Sequence, residues 1–219
     1  MAGLLAAALL YAGASGFART LQLLPVHAVL DDLGRGHPVA EARTEAAANA
    51  LATLEPPDGR VLKRRGQLAL SGILAGRQDR QAASDGLRHA RQWLIDGLAQ
   101  APTDAYAWIW LTQAEMLLHG PTSLARNSFA ASLRQSPNFG PLTLVHLDYG
   151  LLLWPVLDLP LRAALQDSMA PMAVADPVNA TRVARRRGAT AIGRFRRALA
   201  AQPDQLKRFD YYLAKLGPA

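Results

Sequence analysis

The sequence predicts an all-α protein on three observations. Half of its 219 residues are hydrophobic but only 6% are aromatic, and Ala and Leu dominate over β-branched residues, a composition that favours helix. No stretch alternates apolar and polar residues with the period of two that a half-buried strand requires. Proline and glycine punctuate the chain at spacings that suit helical hairpins. The same composition narrows function. With no cysteine there is no disulfide framework, thiol nucleophile or Cys-ligated metal, and 24 Lys+Arg against 17 Asp+Glu leaves +7, a balance that favours acidic partners.

Residues 2–18, AGLLAAALLYAGASGFA, carry no formal charge, and Arg19 is the first basic side chain. The run is at the short limit for a membrane-spanning helix, which needs about 20 residues. Its small residues between Ala14 and Ala18 also suit a signal-peptidase site, although no basic residue precedes the run. We read residues 1–24 as an uncleaved anchor, because Gly and Ala are tolerated in membrane helices and nothing polar interrupts the stretch. Residues 25–59 form a helical extension, with its longer helix over 38–54 stopped by Pro56, Pro57 and Gly59.

A basic helix over 60–75 comes next, then the polar connection GRQDRQAAS, then a helix over 85–100 that ends before Pro102. The helix marked by Trp108, Leu111 and Leu118 stops at Gly120-Pro121, where Thr122 or Ser123 can cap a partner that runs to Gln135 and ends at Pro137. PLTLVHLDYGLLLW is apolar enough for a second span, but His146, Asp148 and the Trp154-Pro155 break predict a buried helix of a soluble domain. Helices over 160–169, 178–202 and 204–216 complete the chain.

Helix ends at Pro102, Pro137, Pro171 and Pro203 are separated by 35, 34 and 32 residues. Ahead of them recur Ala90, Leu94 and Leu98; Ala125, Phe129 and Leu133; Ala191, Phe195, Ala198 and Leu199. The small residue lets two helices approach, the larger one fills the space, and proline stops the second helix. Residues 60–219 therefore resemble a degenerate array of tetratricopeptide repeats with a C-terminal capping helix, best around residues 104–139, although Thr112 and Glu115 depart from the pattern. The fold this implies is a helical-hairpin solenoid behind an N-terminal hydrophobic helix. The layout of anchor plus repeats is also similar to the VpsP-like accessory proteins of bacterial exopolysaccharide gene clusters.

In the repeat family the first helix of each pair lines a concave groove. This resemblance implies a partner-binding surface of Arg60, Lys63, Gln67 and Leu70 on one unit and Tyr106, Ile109, Gln113 and Met116 on the next. Independently, Arg182, Arg185, Arg186, Arg187, Arg194, Arg196 and Arg197 concentrate planar cations that suit an acidic lipid head group or polysaccharide. No aromatic residues interleave with them in the manner of a base-stacking platform, which argues against nucleic acid.

No catalytic set emerges. His27, His37, His89, His119 and His146 include no i, i+4 pair, so no metal site is expected, and His146 and Asp148 point to different sides of a helix. Phosphate-loop, dinucleotide and nucleophile-elbow motifs are all missing, so no cofactor is expected. Glu115 is the one carboxylate whose surroundings suggest burial. These expectations combine into a non-enzymatic scaffold or adaptor of a bacterial envelope assembly, anchored in the inner membrane with its soluble domain in the periplasm and serving exopolysaccharide biosynthesis or export. The rival reading is a soluble basic module that binds nucleic acid or another polyanion.

Overall fold

The computed structural model describes residues 17, 20–33, 39–76, 80–136 and 140–216. Among these there are eleven α-helices and a short 3-10 turn at Trp154–Val156, with no strand. In chain order the helices are α1 over 20–33, α2 Glu41–Ala52, α3 Gly59–Leu74, α4 Arg80–Gln100, α5 Ala105–His119, α6 Ser123–Gln135, α7 Gly140–Leu153, α8 Leu159–Ala175, α9 Pro177–Arg186, α10 Ala189–Ala198 and α11 Pro203–Lys215. Most of the segment read as an anchor lies outside the described residues. Among those described, no helix is long and apolar enough to cross a membrane. The chain divides into two compact units between Thr103 and Asp104, inside the span expected to be one repeat domain.

In the first unit Val26 and Val29 of α1, Ala47 and Leu51 of α2, and Val61 and Leu68 of α3 form one apolar core. The α3–α4 pair is a close backbone seam. A Cβ on Gly66 would lie 2.6 Å from Leu94 Cγ, and one on Gly97 would lie 2.9 Å from the Gly59 carbonyl. Glycine is required at those positions because the opposite helix occupies the space a side chain would take. Asp58 starts α3 as its N-cap, accepting from Arg60 N at 2.9 Å and Val61 N at 3.0 Å.

The second unit uses the same capping device four times. Asp104, Thr122, Asp158 and Asp176 each accept a hydrogen bond from the backbone N–H three residues on, at 3.0 to 3.1 Å. The α5–α6 hairpin buries Ala125, Phe129 and Leu133, as the repeat pattern expects. The pattern then fails. Pro171 lies inside α8, on an exposed flank shared with Asp167, so it ends nothing. The expected helix over 178–202 is two helices, broken at Arg187-Gly188, where Gly188 takes φ +84°, a left-handed conformation that glycine adopts without strain. Pro203 is the first residue of α11 and not the end of its predecessor. In place of stacked hairpins, α9 packs against α7, α8, α10 and α11. Phe195 of α10 is fully buried and stacks on Phe209 of α11, with ring centroids 5.5 Å apart.

Candidate functional site

The sequence of α9, PVNATRVARR, explains how it presents charge. Pro177, Ala180, Thr181, Val183 and Ala184 turn inward, so the helix buries small and medium side chains and leaves its arginines on the other flank. Arg182, Arg185 and Arg186 line a cleft of about 450 Å³ together with Leu216, the residue that caps the C-terminal end of α11. Arg182 donates to Asn179 Oδ1 at 3.1 Å, one turn back, which steadies its guanidinium without neutralising it. Neither Arg182 nor Arg185 makes an ion pair among the described residues.

The other arginines of the basic segment do not join them in one face. Arg187 points inward and binds Asp148 of α7 with two parallel hydrogen bonds of 2.8 Å, and Arg186 reaches the same carboxylate at 3.4 Å. Arg196 pairs with Asp210 at 2.9 Å. Arg194 lies over the Trp154 ring at 3.9 Å, with Arg162 at 5.9 Å from the same ring and hydrogen-bonded to the Trp154 and Pro155 carbonyls. Burial, then the nearby Arg197 and Arg162 charges, lower the pKa of Arg194 from its ordinary value. Arg197 is exposed. The seven-arginine patch thus resolves into a two-cation cleft edge, a structural ion pair shared by Arg186 and Arg187, the Arg196 surface pair, Arg194 on an indole beside Arg162, and an exposed Arg197.

The eight residues expected to line a groove are scattered by burial. Arg60 and Tyr106 are exposed and Met116 is half-buried. Gln113 is hydrogen-bonded to Tyr149, so its side chain is engaged within the unit. Lys63, Gln67, Leu70 and Ile109 are buried, the first at 8% exposure. Lys63 runs its stem against Gly97, and its ammonium donates to the Ala101 carbonyl at 3.3 Å, beyond the end of α4. Four of the eight are therefore withdrawn from any partner: Lys63, Gln67 and Leu70 because α3 turns that face inward with Lys63 in the glycine seam, and Ile109 because it belongs to the core of the second unit.

Among the described residues no group of His, Asp and Glu could hold a metal ion. One pair looks like a nucleophile and its base: Ser132 Oγ and His146 Nε2 are 2.9 Å apart. Both side chains are buried, and the serine hydroxyl donates to the Ala105 carbonyl at 2.7 Å. Ser132 must then accept from His146, which places the imidazole proton on Nε2 and leaves the ring no capacity as a base toward the serine. Burial lowers the His146 pKa to about 4, so the ring is neutral near pH 7. Glu115 is buried as its sequence context suggests and accepts from the Thr122 hydroxyl at 2.9 Å, tying α5 to the residue that caps α6. Leu216 is the site residue that sequence reasoning missed. No local signal marks it, since it meets α9 only through the packing of α11.

Comparison with known proteins adds no assignment: no family model, no curated protein and no solved structure matches this chain.

Proposed function

We propose that the chain is a non-enzymatic adaptor that holds an acidic protein partner in the α9 cleft, within a bacterial envelope assembly to which residues 1–24 anchor it. The carrying observation is the juxtaposition of Arg182 and Arg185, two cations without an ion pair among the described residues, with the apolar wall of Leu216 in one concavity. Cations beside an apolar surface favour a peptide with acidic residues and a hydrophobic anchor, because each feature recognises a different part of the ligand. The tetratricopeptide-like reading belongs to the same proposal and draws support from the α5–α6 hairpin, where Ala125, Phe129 and Leu133 fill the expected positions. Exopolysaccharide biosynthesis or export, the setting of the proteins with a similar layout, is the proposed context. What argues against catalysis is the commitment of the Ser132 hydroxyl to a backbone carbonyl. What argues against nucleic acid is that aromatic rings near the basic segment are already engaged: Arg194 lies over the Trp154 ring, and Phe195 is fully buried against Phe209.

The test is fluorescence anisotropy with a labelled Glu/Leu peptide at low and moderate salt. Binding should weaken as salt rises and be lost in Arg182→Glu/Arg185→Glu, while Arg196→Glu, at a site already paired with Asp210, leaves it unchanged. Equal loss from both variants would reduce the cleft to a general charge effect.

A further inference from the structure

The first unit holds a second concavity that the functional reading does not use. Ala48, Leu51 and Ala52 of α2, Leu68 and Gly72 of α3, and Trp93 of α4 wall a cleft of about 460 Å³. Its shape follows from helix geometry. On α2 the lining residues run from Thr44 to Glu55, on and just past one helix face, and on α3 they recur at Arg65, Leu68, Ala69 and Gly72, the i, i+3, i+4, i+7 stripe of one face. At 1.5 Å rise per residue these stripes extend about 10 Å along α3 and about 12 Å along α2 from Thr44 to Ala52, so the cleft is a trough of about two helical turns. A compact ligand would leave most of that length empty.

Charge at the rim sets the chemistry of the occupant. Arg65 is spent on Glu55 at 2.9 Å and on the Leu51 carbonyl at 2.8 Å, so this pair presents no net charge. Glu45 is exposed and has no partner among the described residues. The α2 edge is therefore acidic and the floor apolar. Trp93 is held on its own helix by stacking with His89, ring centroids 5.8 Å apart, and presents a rigid indole as the end wall. At Gly72 a Cβ would meet nothing within 4 Å, so the floor there is open space and not a packed contact.

We propose that this trough binds an amphipathic helix of a partner protein, with an apolar i, i+3/i+4, i+7 stripe on the floor and lysine or arginine on the flank that faces Glu45. Elongation selects a helix, the indole and leucines select its apolar stripe, and the unpaired carboxylate selects a basic flank. The site is independent of the α9 cleft, which takes the opposite charge.

The experiment is a titration of the full chain with a fluorescently labelled synthetic amphipathic Leu/Lys helix, alongside Gly72→Leu, Ala48→Leu and Glu45→Lys. Saturable one-to-one binding is expected, weakened by roughly tenfold or more when either leucine fills the trough. Gly72→Leu should stay folded, since its side chain enters open space, and Ala48→Leu repeats the test from the other wall. Glu45→Lys should weaken the Leu/Lys helix while leaving intact any binding of a Leu/Glu helix at α9. Unchanged affinity in both filled variants overturns the proposal. So does a chain that self-associates through the trough, seen as a dimer that Gly72→Leu disperses without any effect on peptide binding.

Discussion

Helices α3 and α9 carry similar runs of positive charge, RVLKRR and TRVARRR, and use them in opposite ways. On α3 two of the four cations are taken up by helix ends, and Arg60 is exposed. Lys63 donates to the Ala101 carbonyl past α4, and Arg65 donates to the Leu51 carbonyl in the last turn of α2, while Arg64 holds Gln67 at 2.9 Å. Terminal carbonyls lack intrahelical donors and carry the negative end of the helix dipole, so a cation there stabilises the fold. On α9 only Arg187 finds a full complement, the Asp148 carboxylate. Arg182 and Arg185 hydrogen-bond no terminal carbonyl and pair with no carboxylate among the described residues, and they border a cleft. A basic residue is structural where an open acceptor lies within reach, and available to a partner where none does.

The largest expected effect tests the packing that holds the α9 arginines in place. Phe195→Ala removes a fully buried ring stacked on Phe209 and should cost about 3–5 kcal/mol in chemical denaturation. A cost under about 1 kcal/mol would mean that α10 and α11 do not hold one another as described.

Next comes the ion pair that separates Arg187 from its neighbours. Asp148→Asn leaves a half-buried guanidinium without its counter-charge and should cost about 2–3 kcal/mol. If it costs nothing, Arg187 belongs with the available cations of the basic segment.

A comparable effect arises at His146, a basic group kept neutral by burial instead of charged by a partner. Its folded pKa of about 4 is below the ordinary 6.5, so the unfolded chain takes up the proton first as pH falls. Stability from this group is complete above pH 6.5, declines between 6.5 and 4, and levels off below, with up to about 3 kcal/mol lost. His146→Gln, which can still donate to Ser132, should flatten that window in urea melts run across it. An unaltered pH profile would assign the decline to other groups.

The smallest effect is at Lys63. Lys63→Met keeps the stem against Gly97 and removes the ammonium with its hydrogen bond to the Ala101 carbonyl, for a cost of about 1 kcal/mol. A gain in stability would show that burying the ammonium costs more than its bond returns.

Much of the helix order was legible because its signals are local. Pro102 and Gly120-Pro121 end helices by removing donors or favouring turns, and Thr122 caps α6 as its position suggests. Pro171 misled because a proline late in a helix and on its exposed flank can be accommodated, which no local pattern announces. The break after Arg187 had a readable sign in Gly188, a glycine directly after the arginine run, but the Ala-rich stretch beyond it kept the helical pattern alive. The candidate site was less legible. Arg187 and Asp148 are 39 residues apart, and Lys63 and Ala101 are 38 apart, so whether each cation has an acceptor depends on packing that the sequence does not display. The glycines of the α3–α4 seam decide which face of α3 turns inward, and with it the fate of half the expected groove.

The most direct test of the central claim measures two quantities on two charge-neutralised proteins: melting temperature and affinity for the Glu/Leu peptide. Arg182→Gln/Arg185→Gln should lose the peptide and keep its melting temperature, while Lys63→Met/Arg65→Met should melt lower and bind as before. If the α3 variant loses the peptide or the α9 variant melts lower, the division between structural and available cations is contradicted.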